Sequence, residues 1–102
     1  ETLHLAKQAF AKRPTVFAAD VLAWAHYLNC EYVAAQKMMR QALRLGTQSA
    51  ELHFHAGMIA WRLQQHTEAQ KHLETALAIN PYFCRRSATE ARAVLAQLAA
   101  TD

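Results

Sequence analysis

Glycine and proline are nearly missing from this chain, two of each in 102 residues. β-Branched residues are also few. A sheet protein needs turn residues every few positions and side chains that suit a pleated surface, so the scarcity of both excludes an all-β fold and points to helices. The two cysteines, Cys30 and Cys84, stand far apart in no metal-binding or redox spacing, which suggests reduced thiols and an intracellular, cytoplasmic chain, the alternative being that the two pair in an oxidising compartment. No apolar run reaches the roughly 18 residues that a membrane-spanning helix needs, and no signal peptide is visible. A glycine-rich phosphate loop, a nucleophile elbow and paired carboxylates are all missing, so neither catalysis nor a cofactor is expected. Formal charge is only +3 and the cations are scattered. Lys37, Arg40 and Arg44 share one helical stripe without interleaved aromatics, which reads as a solvated outer face and not as a nucleic-acid surface. The six histidines are never three or four residues apart, so no pair falls at ligand spacing on one helix, and no metal site is expected.

What the chain does have is alanine, aliphatic side chains and an internal echo. Ala35-Gln36-Lys37 returns as Ala69-Gln70-Lys71, Ala42-Leu43 returns as Ala76-Leu77, and Leu22-Ala23 falls opposite Ala56-Gly57, all at an offset of 34 residues. A fixed period of this length marks stacked helix-turn-helix units that bury a continuous core only by lying against one another.

The apolar spacing divides the chain into about six helices. Leu3, Ala6, Ala9 and Phe10 form a stripe over residues 2–13, which Pro14 ends. Thr15 is a good N-cap for a second helix to about Leu28, with Leu22 and Ala25, and also Val21 and Leu28, candidates for its inner face. Asn29-Cys30 makes a tight turn into a third helix over residues 31–45, whose inner side is Ala35, Met38, Met39, Ala42 and Leu43 and whose stop is Gly46. A fourth helix covers residues 48–63. Thr67 with Gln70 reads as a capping box for a fifth that ends at Asn80-Pro81, and Ser87 with Glu90 as a capping box for a sixth built on Ala91, Val94, Leu95 and Leu98. Such short helices joined by turns of two to four residues fold back antiparallel, and each depends on its neighbours for stability.

In this pattern the sequence resembles the tetratricopeptide repeat family. That family places small residues at the eighth, twentieth and twenty-seventh positions of its unit and often proline at the thirty-second. Counted from Ala50 these are Gly57, Ala69, Ala76 and Pro81; counted from Val16 they are Ala23, Ala35 and Ala42, with Thr47 in the proline place. The family's frequent aromatic at the fourth position is replaced by Ala19 and His53, and its usual tyrosine at the eleventh by His26 and Ala60. The resemblance implies an all-α, right-handed α-solenoid of antiparallel helix pairs. Residues 1–14 would be the second helix of a preceding, truncated unit, 15–46 and 47–81 two full units, and 82–102 a capping helix with a polar outer side, so that the chain reads as a C-terminal piece of a longer protein.

The resemblance also implies a site. In the family the second, fifth, ninth and twelfth positions of each first helix line a concave groove. Here these are Phe17, Asp20, Trp24 and Tyr27 in one unit and Glu51, Phe54, Met58 and Trp61 in the other. Five of the eight are aromatic, and rings of this kind bury much area with few rotatable bonds. The expectation is an interaction module that holds a peptide or partner protein. The lysine and asparagines of the family's clamp for a C-terminal carboxylate are absent, since Asp20, Trp24, Phe54 and Met58 hold such places. The competing readings are a self-associating solenoid segment, a homo-oligomer with no peptide ligand, and a regulatory appendage of an enzyme encoded elsewhere in the parent chain.

Overall fold

The apolar residues recur at three- and four-residue steps, and the chain forms helices wherever they do. The computed structural model describes residues 2–13, 15–44, 49–80 and 85–101, and within them the side chains of all but residues 2, 3, 16, 17, 85 and 101. Among the described residues there are six helices and no strand: α1 (Thr2–Lys12), α2 (Val16–Leu28), α3 (Tyr32–Arg44), α4 (Ala50–Arg62), α5 (His66–Ile79) and α6 (Arg85–Thr101). This is an all-α helical repeat fold. The expected breakers Pro14, Gly46 and Pro81, and the cysteine Cys84, lie outside the described residues.

The chain divides into two units, residues 1–47 and 48–102. In the first, α1 packs on α2 and α2 on α3. Ala6, Leu22 and Ala25 form a buried cluster on which Phe10 and Met38 rest. Ala9, expected in the α1 stripe, is exposed. Val21 and Leu28 are 55% and 63% exposed, so of the four inner candidates on α2 only Leu22 and Ala25 face the core.

In the second unit α4 packs on α5, and α6 lies against both. Seven residues between Leu52 and Ala60 are buried (Leu52, Phe54, Ala56, Gly57, Met58, Ile59 and Ala60), so α4 is apolar on nearly every side, as a helix with neighbours on several faces must be. Ala88, Ala91, Val94 and Leu98 give α6 its inner stripe, while Arg86, Glu90 and Arg92 stay outside.

The small positions act as the repeat requires. Ala23, Ala35, Ala42, Ala69 and Ala76 are 0% exposed. At Gly57 the backbones of α4 and α5 come so close that an added Cβ would stand 2.7 Å from Leu73 Cγ and 3.3 Å from the Ala69 carbonyl oxygen. The large side chains Met39 and Leu73, also 34 residues apart, fill the space beside these small ones and are wholly buried. Full burial of such a side chain is worth about 1.5–3 kcal/mol, which is how helices too short to stand alone are held.

Both pairs turn in the same way. Cys30 and Gln64 adopt φ of 62° and 61°. The Cys30 N–H donates to the Tyr27 carbonyl (2.9 Å) and the Glu31 N–H to the His26 carbonyl (2.8 Å). The Gln64 N–H donates to Trp61 (3.0 Å) and the Gln65 N–H to Ala60 (2.9 Å). This is the Schellman closure of a helix C-terminus, here made without glycine at its left-handed position.

The helix starts agree with the sequence in part. The Thr15 hydroxyl accepts from the Ala18 N–H at 3.1 Å, and the Ser49 hydroxyl is 3.5 Å from the Leu52 N–H, at the outer limit of a hydrogen bond. The two capping boxes do not form. His66 is already helical and Gln65 is the N-cap of α5, without a side-chain bond, so Thr67 sits inside the first turn. The Schellman turn delivers the chain straight into helix and leaves no residue for a separate cap. Likewise α6 already runs through Arg85 and Arg86, which puts Ser87 within the helix.

Candidate functional site

Two faces carry the groove residues expected from the sequence, and they differ. On α2, Asp20, Trp24 and Tyr27 follow one another at four- and three-residue steps, and all three are half-buried. Trp24 and Tyr27 lie flat on each other, ring centroids 4.4 Å apart and planes 8° from parallel. Tyr32, the first residue of α3, meets Tyr27 edge-on with centroids 5.5 Å apart at 61°. Stacked and edge-to-face rings are mutually stabilising by about 0.5–1.5 kcal/mol per pair beyond the area they bury, so this cluster is set in place before any partner arrives. Tyr32 was not among the expected site residues. Phe17 lies in the first turn of α2, its side chain outside the described residues.

The turn behind this cluster is braced. The His26 ring approaches Glu31 with Nδ1 to Oε1 at 2.7 Å, and the Asn29 amide donates to the Ala25 carbonyl at 2.9 Å. These contacts fix the path from α2 to α3 and with it the angle at which Tyr32 meets Tyr27.

On α4 the expected residues separate. Phe54 and Met58 are 2% and 1% exposed and build the core of their unit. Glu51 is exposed and Trp61 half-buried. Trp61 borders a depression of about 280 Å³ whose other walls are His66, Gln97, Leu98 and Ala100, between the end of α4, the start of α5 and the last turns of α6. The Arg62 guanidinium stands over the Trp61 ring, 4.8 Å from its centroid. α6 thus supplies part of the surroundings of Trp61.

A further pair was invisible in the sequence. His53 of α4 and His72 of α5 face each other with their Nδ1 atoms 3.1 Å apart and ring centroids 5.3 Å apart. One nitrogen must donate and the other accept, so at least one ring is neutral at this position. Burial lowers the pKa of both below the usual histidine value; for His72 the neighbouring His53 and Lys71 lower it further while Glu68 opposes them. Among the described residues no group of three or more histidine, cysteine or carboxylate side chains is placed to hold a metal ion. Cys30 is free and exposed in its turn. None of the described helices is long and apolar enough to cross a membrane.

Comparison with known proteins bears on the second unit. The tetratricopeptide repeat family model matches residues 50–83, from the first residue of α4 to just beyond α5. No curated protein matches the chain significantly. Repeats of this family serve in general as scaffolds for protein–protein interaction and are typically not catalytic. The matched span coincides with the helix pair closed at Gly57, Ala69 and Ala76, and residues 50–83 of this chain are a tetratricopeptide repeat.

Proposed function

We propose that the chain is a protein-interaction module whose partner, a peptide or a segment of another protein, docks on the aromatic face of α2. The observation that carries this reading is the Trp24–Tyr27 stack with Tyr32 at its edge. Half-exposed, preorganised rings lose little freedom on binding, which is the property of an interface hot spot. Asp20 flanks the stack one turn earlier. Of the residues expected on α4, Phe54 and Met58 belong to the core of their own unit, and only Glu51 and Trp61 keep exposed surface there.

Selection of a displayed peptide library on the immobilised chain tests the reading. Sequences enriched on the wild-type protein should fail to bind Trp24→Ala and Tyr27→Ala variants of unchanged helicity. Equal enrichment on wild type and variants would reject the α2 face.

Self-association is a second reading, favoured by the exposed Leu5, Val21, Leu28 and Val33 of the first unit. Light scattering over a concentration series decides it, since a strict monomer at the highest concentration rejects it.

A further inference from the structure

One polar contact in the second unit is not demanded by the fold. His53 of α4 and His72 of α5 meet across the helix pair with their Nδ1 atoms 3.1 Å apart. In the first pair the residues 34 positions earlier are Ala19 and Met38. Ala19 is buried, and Met38 rests on the core cluster of its unit. Apolar side chains at these two places thus serve a helix pair of the same kind, and the two imidazoles are particular to the second pair. Their spacing has a chemical meaning. Two imidazole nitrogens bound to one ion, each about 2.0–2.1 Å from it, stand about 2.9 Å apart at a right angle and about 3.3 Å apart at the tetrahedral angle. The observed 3.1 Å lies between these limits. The rings now face each other almost head-on, with centroids 5.3 Å apart. Binding therefore asks only that each ring turn until both lone pairs meet at a point beside the line joining the nitrogens. Both rings are half-buried, so ions reach them from solvent. Two exposed charges of α5 act on His72: Glu68, one turn earlier, favours positive charge there, and Lys71 opposes it.

We infer that His53 and His72 together bind one divalent ion of the late first-row transition series, nickel or zinc, each through its Nδ1. Imidazole is a donor for these ions and not for magnesium or calcium, which take oxygen ligands. With no third protein donor placed among the described residues, water completes the coordination. The hydrogen bond between the rings gives way to the ion. The ring that donates from Nδ1 carries its proton on Nε2 instead, exchanged through water, so both neutral rings offer a lone pair and no net proton is released. The two histidines are 19 residues apart and come together only in the folded pair. The ion therefore clips α4 to α5 and stabilises the folded chain increasingly as its concentration rises.

The test uses the full chain, freed of metal with a chelator, and nickel, zinc and magnesium chlorides as probes. Calorimetric titration should show one nickel or zinc ion per chain with Kd on the order of 1–100 μM, because two ligands supply about half the hold of a four-ligand structural site. Magnesium should not bind. His53→Gln and His72→Gln should each weaken nickel about tenfold or more, since even the loss of an outer hydrogen-bond partner to a ligand costs that much. His4→Gln should bind as the wild type does. Nickel should raise the thermal midpoint of the wild type and leave those of His53→Gln and His72→Gln where they were. One measurement needs no variant to fold: nickel is paramagnetic, and in NMR spectra of the wild type it should broaden the ring signals of His53 and His72 before those of His4, His26, His55 and His66. No binding to the wild type at about 1 mM nickel overturns the inference. So does broadening that begins at another histidine, or a loss in only one of the two variants. Equal binding by wild type and both variants overturns it too, because the ion then sits at the cysteines or at other histidines.

Discussion

Replacing Gly57 by alanine sets two effects of opposite sign against each other. In an exposed helix the change would stabilise by about 1 kcal/mol, because alanine restricts the unfolded chain and favours helix. Here the new methyl group would stand 2.7 Å from Leu73 Cγ and 2.8 Å from Cδ2, inside the closest approach that carbon atoms tolerate. Leu73 is wholly buried, and the branched Cγ cannot swing aside as the tip of a long chain could. Overpacking of this kind costs roughly 1–3 kcal/mol. With Cγ itself in the way the upper part of that range applies, and the net result is a loss of about 1–2 kcal/mol. The first helix pair suggests the remedy, because there the equivalent small residue is Ala23 and the equivalent large one Met39. Unbranched methionine leaves room where leucine does not. Leu73→Met alone should cost under about 1.5 kcal/mol. The double variant Gly57→Ala/Leu73→Met should recover much of the loss, with a coupling near 1 kcal/mol. Urea denaturation followed by circular dichroism at 222 nm measures all four proteins. A higher midpoint for Gly57→Ala, or strict additivity in the double variant, would refute the close approach of α4 and α5 at this point.

Other expectations follow from the turns, caps and histidines. Gln64→Gly should raise stability by about 0.5–1 kcal/mol, since it relieves a left-handed residue at a Schellman position, and Cys30→Gly should do the same in the first pair; a fall in thermal midpoint for both would contradict that turn geometry. Thr15→Ala should cost about 1 kcal/mol through the lost N-cap, and Ser49→Ala less, because its bond is at the limit of length; the reverse order in denaturant midpoints would count against these cap geometries. Because His53 and His72 have lowered pKa values, the unfolded chain binds protons more readily than the folded one. Stability is therefore full above the unfolded value of about 6.5 and is lost as pH falls through the lower folded values. Double protonation would also set two N–H groups head to head across 3.1 Å. His53→Gln/His72→Gln should flatten the thermal midpoint between about pH 7 and 5, and an unchanged slope would show that other groups set it.

The parts of the fold that depend on local sequence were legible. Small residues at a 34-residue offset located the helix pairs, because only alanine or glycine admits such close backbones, and Asn29-Cys30 marked its turn. Thr67 and Ser87 misled because a hydroxyl three residues ahead of Gln70 or Glu90 looks the same whether helix begins there or a residue or two earlier. Val21 and Leu28 look apolar enough to be inside, yet burial depends on which neighbour covers each side of α2, and that is not encoded in α2 itself. The same reason separates the two faces of the candidate site. Register alone gave Phe54 and Met58 the role of Asp20 and Trp24, but α4 is enclosed by α5 and α6, which takes both side chains into the core. Tyr32 belongs to a different helix from the stack it joins, and His53 and His72 are 19 residues apart on two helices, so only packing brings either group together.

The most direct measurement of the docking face is the change in backbone and indole NMR signals as a selected peptide is titrated into the labelled chain. The indole N–H of Trp24 and the amides around Tyr27 and Tyr32 should move most, together and in proportion to occupancy. A titration that leaves these signals in place and moves others, such as those of the exposed side of α3, would contradict the account.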